Sequence, residues 1–389
     1  MKIGPTCDPR AVRSDGCSAA VRPVRVCIVA PSLDILGGQA VQAQRLLAAF
    51  AGSDRVHAGF LAVNPRLPGP LRALQRIKYV RTIVTSIAYV ASLLWRVKDY
   101  DVLHVFSASY WSFLLAPVPA LLVARLYGRP ALLNYRSGEA SEHLANWRTA
   151  RWGVRQATRV IVPSGYLVGV FGEYGVPAQS IANFVDVSRL RFRERSPLRP
   201  VFLSNRNFEA HYNVSCTLRA FAAIQAQVPG ATLIVVGDGP QRDELKALAA
   251  SLGLRAVTFA GQVPPERMSA FYGEADIYLN SPELDNMPTS IIEAFAAGLA
   301  VVTTDAGGIP FIVRHGENGR MVARGDAAAM AAEACALLAD PEGALAMTRR
   351  ARAECETKYV WPAVRAQWEE LYREVVAGAG AVRATGPHA

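Results

Sequence analysis

Short apolar runs alternate along this chain with longer stretches in which apolar residues recur every three or four positions. The apolar runs include residues 24–30, 160–162, 233–236 and 277–279. Runs of this length predict buried strands, and the stretches between them predict amphipathic helices. Strands that alternate with helices favour parallel sheets. We therefore expect an α/β fold of doubly wound sheets.

The chain is long enough for two such units. Single hydrophobic cores stop growing beyond about 250–300 residues, and this chain has 389. The pattern predicts a first domain over residues 23–190 and a second over residues 196–360, with an Arg-rich linker between them. A terminal helix is expected over residues 361–376. Two segments lack periodicity and are expected to form a disordered N-terminal tail and a loose C-terminal tail, namely residues 1–22 and 377–389.

The segment after the predicted strand 277–279 carries the strongest local signal. Pro288 suits the first turn of a helix, where its missing N–H has no consequence. Ile291, Ile292 and Phe295 then give a helical apolar stripe, and Gly298 is a typical residue just beyond a helix end. A further apolar run follows, so the unit is strand, helix and strand.

Two carboxylates, Asp285 and Glu293, stand eight residues apart around the start of that helix. Ligands of parallel α/β sheets bind beside the carboxyl ends of the strands, where both residues fall. A carboxylate can accept two hydroxyl hydrogen bonds, which suits the diol of a ribose or hexose. Gly307 and Gly308 follow the next strand, and their N–H groups could approach a phosphate closely. The combination predicts a sugar-nucleotide site.

Residues 277–319 resemble the donor-site signature of the family 4 retaining glycosyltransferases, which have the GT-B fold. The resemblance implies two Rossmann-like domains that face a central cleft, with a nucleotide-sugar donor in the second domain and the acceptor in the first. In the family's Glu-x7-Glu pattern the second carboxylate, here Glu293, contacts the ribose. The first contacts the donor sugar, and Asp285 stands there, one methylene shorter than the usual Glu. The resemblance also assigns the intervening loop to donor binding, namely Asn286, Met287, Pro288 and Thr289.

Weaker matches to the same family follow in order along residues 24–376. Gly37 and Gly38 resemble its N-terminal glycine-rich loop, which approaches donor and acceptor. His104 ends a strand as a His does in these enzymes, and residues 183–186 resemble the hinge signature Asn-x-x-Asp. In the second domain, Arg206 resembles the phosphate-binding Arg, and the loop near the nucleotide base is matched by Gly237 and Asp238. The resemblance further implies that the final helix crosses back onto the first domain.

This chain departs from the family pattern in two places. The Lys that usually follows the phosphate-binding Arg is missing, and Tyr212 or His211 falls at its position. Tyr supplies no positive charge to a diphosphate, so Arg206 would act alone or with an Arg of the first domain. A common His-Asp pair after the fourth strand is replaced by the sequence 134–138, Asn-Tyr-Arg-Ser-Gly. His104 is then the nearest candidate for a catalytic His, and a structural histidine at a strand end is the alternative.

Charge is unevenly distributed between the two halves. Residues 1–195 contain 25 Lys and Arg against 11 Asp and Glu, and residues 196–389 contain 17 against 21. The basic first half favours an anionic acceptor or an anionic membrane surface. Residues 82–95 are uncharged and mostly apolar, but these 14 residues fall short of the roughly 17–25 that a membrane span needs. An interfacial or partly buried helix fits better. Nucleic acid is not expected, because no binding motif accompanies the charge.

The cysteines and acidic motifs exclude several other classes. The six cysteines show no Cys-x-x-Cys and no metal spacing with His, which is typical of a reduced, cytoplasmic environment. Residues 1–23 lack the apolar core of a signal peptide. An Asp-x-Asp motif holds a divalent metal in other sugar-nucleotide enzymes. The one Asp-x-Asp triplet of this chain, Asp99-Tyr100-Asp101, stands at the start of the predicted strand that ends in His104, away from the carboxyl ends of strands where ligands bind. We therefore expect a metal-independent reaction and a cytoplasmic location, with peripheral attachment to the cytoplasmic face of the membrane as an open alternative.

These observations predict a retaining glycosyltransferase. It would move a sugar from a nucleoside diphosphate sugar to a cell-envelope polysaccharide, lipid-linked or glycolipid precursor. No permanently bound cofactor is expected. Two alternatives stay open at this point: a catalytically weak partner subunit that binds sugar nucleotides, which the missing Lys and the Glu-to-Asp change motivate, and another GT-B activity such as a sugar-nucleotide epimerase.

Overall fold

The computed structural model describes residues 22–33, 38–67, 69–107 and 109–384. Within this part of the chain the strands form two separate parallel sheets of six strands each, with helices on both faces. The predicted fold class is therefore confirmed. The expected disordered tail, apart from Arg22, lies outside the described residues.

The first sheet has the strand order β2-β1-β3-β4-β5-β6, and all its neighbouring strands are parallel. The order reverses beside β1, as in other doubly wound sheets, so a crevice opens at the carboxyl ends of the strands. The strands are β1 Val24–Ala30, β2 Val56–Ala62, β3 Val102–Ser107, β4 Ala131–Tyr135, β5 Arg159–Val162 and β6 Ala178–Ser180.

Helices cover both faces of this sheet. Alpha-helix α1 packs on one face, and α2 to α7 contribute the apolar residues that cover the other. The side chains of β1 and β3 are nearly all buried, which is why these strands read as continuous apolar runs. The helices are α1 Gly38–Phe50, α2 Lys78–Arg96, α3 Tyr110–Leu115, α4 Pro117–Leu126, α5 Ala140–Asn146, α6 Arg148–Val154 and α7 Gly165–Glu173.

The second sheet has the strand order β12-β11-β10-β7-β8-β9. Apolar residues fill the space between the sheet and the helices on each face. The strands are β7 Val201–Asn205, β8 Thr232–Val236, β9 Val257–Gly261, β10 Ile277–Asn280, β11 Ala300–Thr304 and β12 Arg320–Val322. The helices are α8 Val214–Gln227, α9 Arg242–Ser251, α10 Met268–Glu274, α11 Thr289–Ala297, α12 Ala327–Ala339 and α13 Pro341–Lys358.

The Arg-rich stretch between the two sheets is packed against the second domain. The Arg195 side chain is fully buried and donates to the backbone carbonyls of Tyr272, Ala275 and Ala297. Asp276, also buried, pairs with the guanidinium of Arg195 and with those of its neighbours in this stretch. Burial without such partners would be costly for every one of these charges, so the segment is fixed to the second domain.

The last helix, α14 Trp361–Ala384, lies against the first domain. Its Trp368 and Tyr372 are buried on the face of the first sheet that α1 also covers. The helix is longer than the predicted 361–376, and the expected loose tail is wrong for residues 377–384. Four alanines in this stretch favour the helix strongly enough to carry it past Gly378 and Gly380. Residues 385–389 of that tail lie outside the described residues.

Candidate active site in the cleft between the domains

A cleft separates the carboxyl ends of the two sheets and has two connected lobes. The Glu293 lobe, of about 300 Å³, is lined by Glu293, Val236 and Gly237. The Asp285 lobe, of about 440 Å³, is lined by Asp285, Arg136 and the loop that follows Asp285. Four residues line both lobes: Gln42, Arg206, Tyr212 and Thr289. A ligand that filled both lobes would therefore pass over Arg206.

Glu293 lies on the second turn of α11 and reaches across the cleft. Its carboxylate accepts a hydrogen bond from Arg45 Nη2 at 2.7 Å and from Tyr272 Oη at 2.8 Å. Arg45 belongs to α1 of the first domain, so this ion pair joins the two domains. A carboxylate offers about four lone-pair sites. Two further donors, such as the hydroxyls of a diol, can therefore bind the same group.

Asp285 pairs directly with Arg206, the residue that follows strand β7. The same guanidinium lies over the ring of Tyr212, with its Cζ 3.9 Å from the ring centroid, and donates to Ser290 Oγ at 3.3 Å. From the sequence, either His211 or Tyr212 could occupy the position of the family's usual Lys next to this Arg. In the structure the Tyr212 ring occupies that place, and His211 lines the Asp285 lobe.

Arg206 keeps its positive charge although its side chain is largely buried. Burial opposes the charged form, but the Asp285 carboxylate outweighs it and raises the pKa of Arg206 above its usual range. Within the described part of the chain, Arg206 Nε and the neighbouring Asn205 Oδ1 are buried without a hydrogen-bond partner. Buried polar atoms are usually satisfied, so these two mark a place where a polar ligand or water completes the site.

The loop between Asp285 and α11 contacts the first domain. Asn286 Nδ2 donates to the carbonyl of Arg136 at 3.0 Å, and the Met287 carbonyl accepts from Asn183 Nδ2 at 2.9 Å. Thr289 Oγ1 accepts from Gln42 Nε2 at 3.2 Å. Pro288 occupies the N-cap position of α11, one residue before the predicted first turn. The loop therefore links the cleft residues of the second domain to the first domain.

Gly307 and Gly308 lie behind this loop and support it. A Cβ on Gly307 would stand 2.1 Å from the Asp285 carbonyl oxygen, and one on Gly308 would stand 1.7 Å from that of Asn286. The Gly308 N–H already donates to the Asp285 carbonyl at 2.9 Å. The expectation that this N–H would hold a phosphate is therefore wrong, because it already forms a hydrogen bond within the protein. The glycines are required so that the two backbones can approach.

The remaining predicted glycines have different positions. Gly237 has a φ of 146°, and a Cβ there would stand 2.1 Å from the Arg206 carbonyl oxygen, so it lets strands β7 and β8 end close together. Asp238 is partly exposed and pairs with Arg242 at 3.1 Å. Gly38 begins α1, which places the helix N-terminus at the cleft edge. Gly37 lies outside the described residues.

Arg136 is a second, partly buried cation in the cleft, just beyond strand β4. Its guanidinium donates to the side-chain amide oxygens of Asn134 and Asn183. No carboxylate of the described residues pairs with it. Burial lowers the pKa of Arg136 to about 10, so it stays charged at neutral pH. A charge that is partly removed from water and has no counter-ion is stabilised by an anion that comes close to it. Arg136 therefore favours the anionic part of a ligand within its reach in the cleft.

His104 does not reach the cleft. Its side chain is fully buried between strand β3 and α14, where Nδ1 lies 2.7 Å from Tyr372 Oη and Nε2 lies 2.8 Å from Asn134 Nδ2. Because the Asn134 amide can only donate, Nε2 is the acceptor and Nδ1 carries the proton. Burial lowers the pKa of His104 to about 3, assisted by the charge of Arg136. The assignment of a catalytic role to His104 is corrected: it supports Asn134, which in turn contacts Arg136.

Sequence patterns did not identify four residues of the site: Arg136, Arg45 and Gln42, which line the cleft, and Tyr272, which contacts Glu293. Arg45 and Gln42 lie on α1 within two turns of Gly38, so a basic and an amide residue soon after the glycine loop were an available signal. Tyr272 lies on α10 and reaches Glu293 over 21 positions of sequence. No local pattern indicates that contact.

Metal binding has no visible basis in the part of the chain that the structure describes. No group of three or more His, Cys, Asp or Glu side chains lies close enough there to hold an ion. The cleft instead has the Glu293 carboxylate in one lobe, Asp285 and Arg136 in the other, and Arg206 between them. Such a site can bind a polyhydroxylated anion and stabilise negative charge that develops on it.

Two family models match the chain. The model described as Glycosyltransferase Family 4 matches residues 19–189, and the model described as Glycosyl transferases group 1 matches residues 188–354. Together they cover both sheets and the cleft between them.

Individual proteins show the same similarity. N-acetyl-alpha-D-glucosaminyl L-malate synthase of Bacillus anthracis is 27% identical over 239 residues, which are 58% of this chain and 62% of that protein. The GDP-mannose-dependent alpha-(1-6)-phosphatidylinositol monomannoside mannosyltransferase of Mycolicibacterium smegmatis is 29% identical over 194 residues, 47% of this chain and 51% of that protein. The matched part therefore spans less than two thirds of either relative. A crystal structure of Anabaena Alr3699/HepE in complex with UDP and glucose has a TM-score of 0.72 at 19% identity, covering 90% of this chain and 100% of that one. That likeness shows the fold.

Proposed function

Because the chain belongs to the family 4 glycosyltransferases of GT-B fold, we propose that it moves a sugar from a nucleoside diphosphate sugar to an acceptor hydroxyl with retention of the anomeric configuration. The observation that carries this proposal is the order of groups along the cleft. The Glu293 carboxylate lies at one end, the buried Arg206 lies between the two lobes, and Arg136 lies beyond it.

This order fits the parts of a sugar nucleotide. The base and ribose occupy the Glu293 lobe, where the ribose hydroxyls donate to Glu293 beside its bonds from Arg45 and Tyr272. The diphosphate lies over Arg206, and the sugar enters the Asp285 lobe. The structure of Anabaena Alr3699/HepE holds UDP and glucose, which are the two parts of such a sugar nucleotide.

In the transfer step the acceptor oxygen bonds to the anomeric carbon while the bond from that carbon to the diphosphate breaks. The electron pair leaves with the nucleoside diphosphate, whose growing negative charge is stabilised by the guanidinium groups of Arg206 and Arg136. The acceptor proton passes to the departing phosphate oxygen on the same face of the sugar, which retains the configuration. Arg136 supplies the positive charge that the family's usual Lys, which this chain lacks, would supply. With two arginines beside the diphosphate, the reaction needs no metal.

The acceptor enters from the first domain. The excess of basic residues in this half favours an anionic acceptor. The Mycolicibacterium smegmatis relative is named for transfer to a phosphatidylinositol mannoside. We therefore propose a cell-envelope polysaccharide, lipid-linked or glycolipid precursor as the acceptor class.

Nucleotide binding tests the donor side of this proposal. Calorimetric titration of the purified protein with UDP, GDP, ADP and their common sugar conjugates should identify one nucleotide that binds. Glu293→Gln should then bind that nucleotide about tenfold or more weakly, because hydrogen bonds to a charged group contribute about 1.5–3 kcal/mol.

The matched control is Glu342→Gln, an exposed glutamate at the start of α13, which should leave the affinity unchanged. Circular dichroism confirms that both variants are folded. If Glu293→Gln binds as tightly as the wild type, the ribose does not lie at Glu293 and the donor orientation is wrong.

A further inference from the structure

The outer surface of the first domain carries apolar side chains that are largely exposed to solvent. On α2 the residues at four-residue spacing point outward: Tyr79, Ile83, Ile87 and Trp95 are 77%, 62%, 65% and 73% exposed. The outer side of a helix on a water-soluble domain is normally polar. Here α2 has no charged residue between Arg81 and Arg96.

The same face continues onto the neighbouring helices. Alpha-helix α4 packs beside α2, and the Tyr127 hydroxyl just after α4 donates to the Leu94 carbonyl of α2 at 2.7 Å. Its outward residues Leu122 and Leu126 are exposed, as is Trp111 of α3, which packs against α4. We call these exposed residues of α2, α3 and α4 the apolar face. Exposed apolar areas that extend over several elements mark interaction surfaces.

The inner side of α2 is part of the domain core. Tyr89 and Leu93 are fully buried, and the Tyr89 hydroxyl donates to the Ala116 carbonyl between α3 and α4 at 2.9 Å. Most of α2 and the turn that follows it form the helical segment Tyr79–Asp99, which by length and composition could cross a membrane. This segment is longer than the stretch of 14 uncharged residues on which the expectation from the sequence was based. Insertion across a bilayer would uncover the sheet, whereas contact of the outer side alone leaves the fold intact.

Charge around the apolar face is mostly positive, with the exposed Asp99 next to Lys98 as an acidic exception. The sequence contains no Asp or Glu between Asp54 and Asp99, and none between Asp101 and Glu139. These two stretches hold the apolar face. Exposed basic residues flank it: Arg81 near the start of α2, Lys98 just after its end, and Arg125 on α4. A basic rim around an apolar face complements an anionic bilayer, whose phosphates attract Lys and Arg while its acyl boundary accepts Ile and Trp.

We propose that the first domain docks peripherally on an anionic phospholipid bilayer through the apolar face. Trp95, Ile83 and Ile87 enter the boundary between headgroups and acyl chains, and the basic rim contacts lipid phosphates. Alpha-helix α2 connects β2 to β3 and runs antiparallel to both strands. Its first turn, with Tyr79, therefore lies at the carboxyl ends of the strands, which face the cleft. The cleft then opens beside the membrane surface. The docking is independent of the donor chemistry proposed above.

Vesicle sedimentation tests the docking on the intact protein. The wild type should bind vesicles of phosphatidylcholine with 30% phosphatidylglycerol and should bind pure phosphatidylcholine vesicles much more weakly. Ile83→Gln/Ile87→Gln should lower binding at least tenfold, because both side chains are exposed and their removal leaves the core unchanged.

Charge variants test the basic rim separately. Arg81→Gln/Lys98→Gln should weaken binding about fivefold per charge, since a basic residue near an anionic surface contributes about 1 kcal/mol. The matched control Arg219→Gln/Arg255→Gln removes the same charge from exposed positions of the second domain and should bind like the wild type.

Three outcomes would overturn the proposal. The first is wild-type binding that is equal on anionic and neutral vesicles or missing on both. The second is equal loss in the control and rim variants. The third is an Ile83→Gln/Ile87→Gln protein that keeps its vesicle binding but changes from dimer to monomer in light scattering, which would assign the face to a second copy of the chain.

Discussion

Arg136 and Arg206 lie on opposite sides of the cleft and differ in how their charges are balanced. Arg206 has the Asp285 carboxylate beside it, whereas Arg136 contacts two amide oxygens and the ring of Phe106 but no carboxylate of the described residues. A bound anion stabilises a charge most when that charge has no counter-ion in the free protein. We therefore expect Arg136 to contribute to turnover more than to the stability of the free enzyme.

Substitution of Arg136 tests this expectation. Arg136→Gln should lower kcat about 10²-fold, in the range seen when a preorganised donor to developing negative charge is removed. Arg136→Lys should recover part of that loss. The assay measures release of nucleoside diphosphate, with Arg159→Gln on the exposed side of the same domain as the control. Wild-type kcat in Arg136→Gln would exclude this residue from the transfer step.

Helix α14 is connected to the cleft by a series of buried polar contacts. Tyr372 on the helix contacts His104, His104 contacts Asn134, and Asn134 contacts Arg136 at the cleft. The indole ring of Trp368 lies 4.6 Å from the His104 ring. The helix therefore supports a cleft residue that it does not itself touch.

The buried His104 makes the free energy of unfolding depend on pH. The unfolded chain protonates His104 near pH 6.5, whereas the folded protein resists protonation down to about pH 3. The unfolded state binds more protons between these values, so stability is lost as the pH falls through that window. Urea denaturation should show about 2–3 kcal/mol less stability from this group at pH 4.5 than at pH 7. His104→Gln should remove that part of the loss. An equal loss in both proteins would place the acid sensitivity elsewhere, for instance at His143, whose pKa is lowered by burial to about 4.

Sequence patterns predicted the elements better than their partners. The strand–helix–strand unit around Asp285 and Glu293 was readable because it depends on local periodicity and on Pro288 and Gly298. The burial of His104 was not, because α14 covers it from 268 positions away in the sequence. The use of the Gly308 N–H by the Asp285 loop was equally hidden, since it depends on how closely two loops approach.

At the scale of the whole molecule, the two domains are held face to face by polar contacts across the cleft. Arg45 pairs with Glu293, and Gln42 donates to Thr289. The sequence predicted two domains and a shared cleft. A basic and an amide residue soon after the glycine loop were visible in it, but their partners in the second domain were not. These pairs join α1 of the first domain to α11 of the second across the cleft.

Turnover of a sugar nucleotide tests the central claim most directly. The purified protein is incubated with each of the common UDP-, GDP- and ADP-sugars, and nucleoside diphosphate release is followed with and without candidate glycolipid acceptors. The account predicts release from one donor class, loss of that release in Arg206→Gln that is folded by circular dichroism, and a product with the donor's anomeric configuration by NMR. Release that persists undiminished in Arg206→Gln, or a product of inverted configuration, would contradict it.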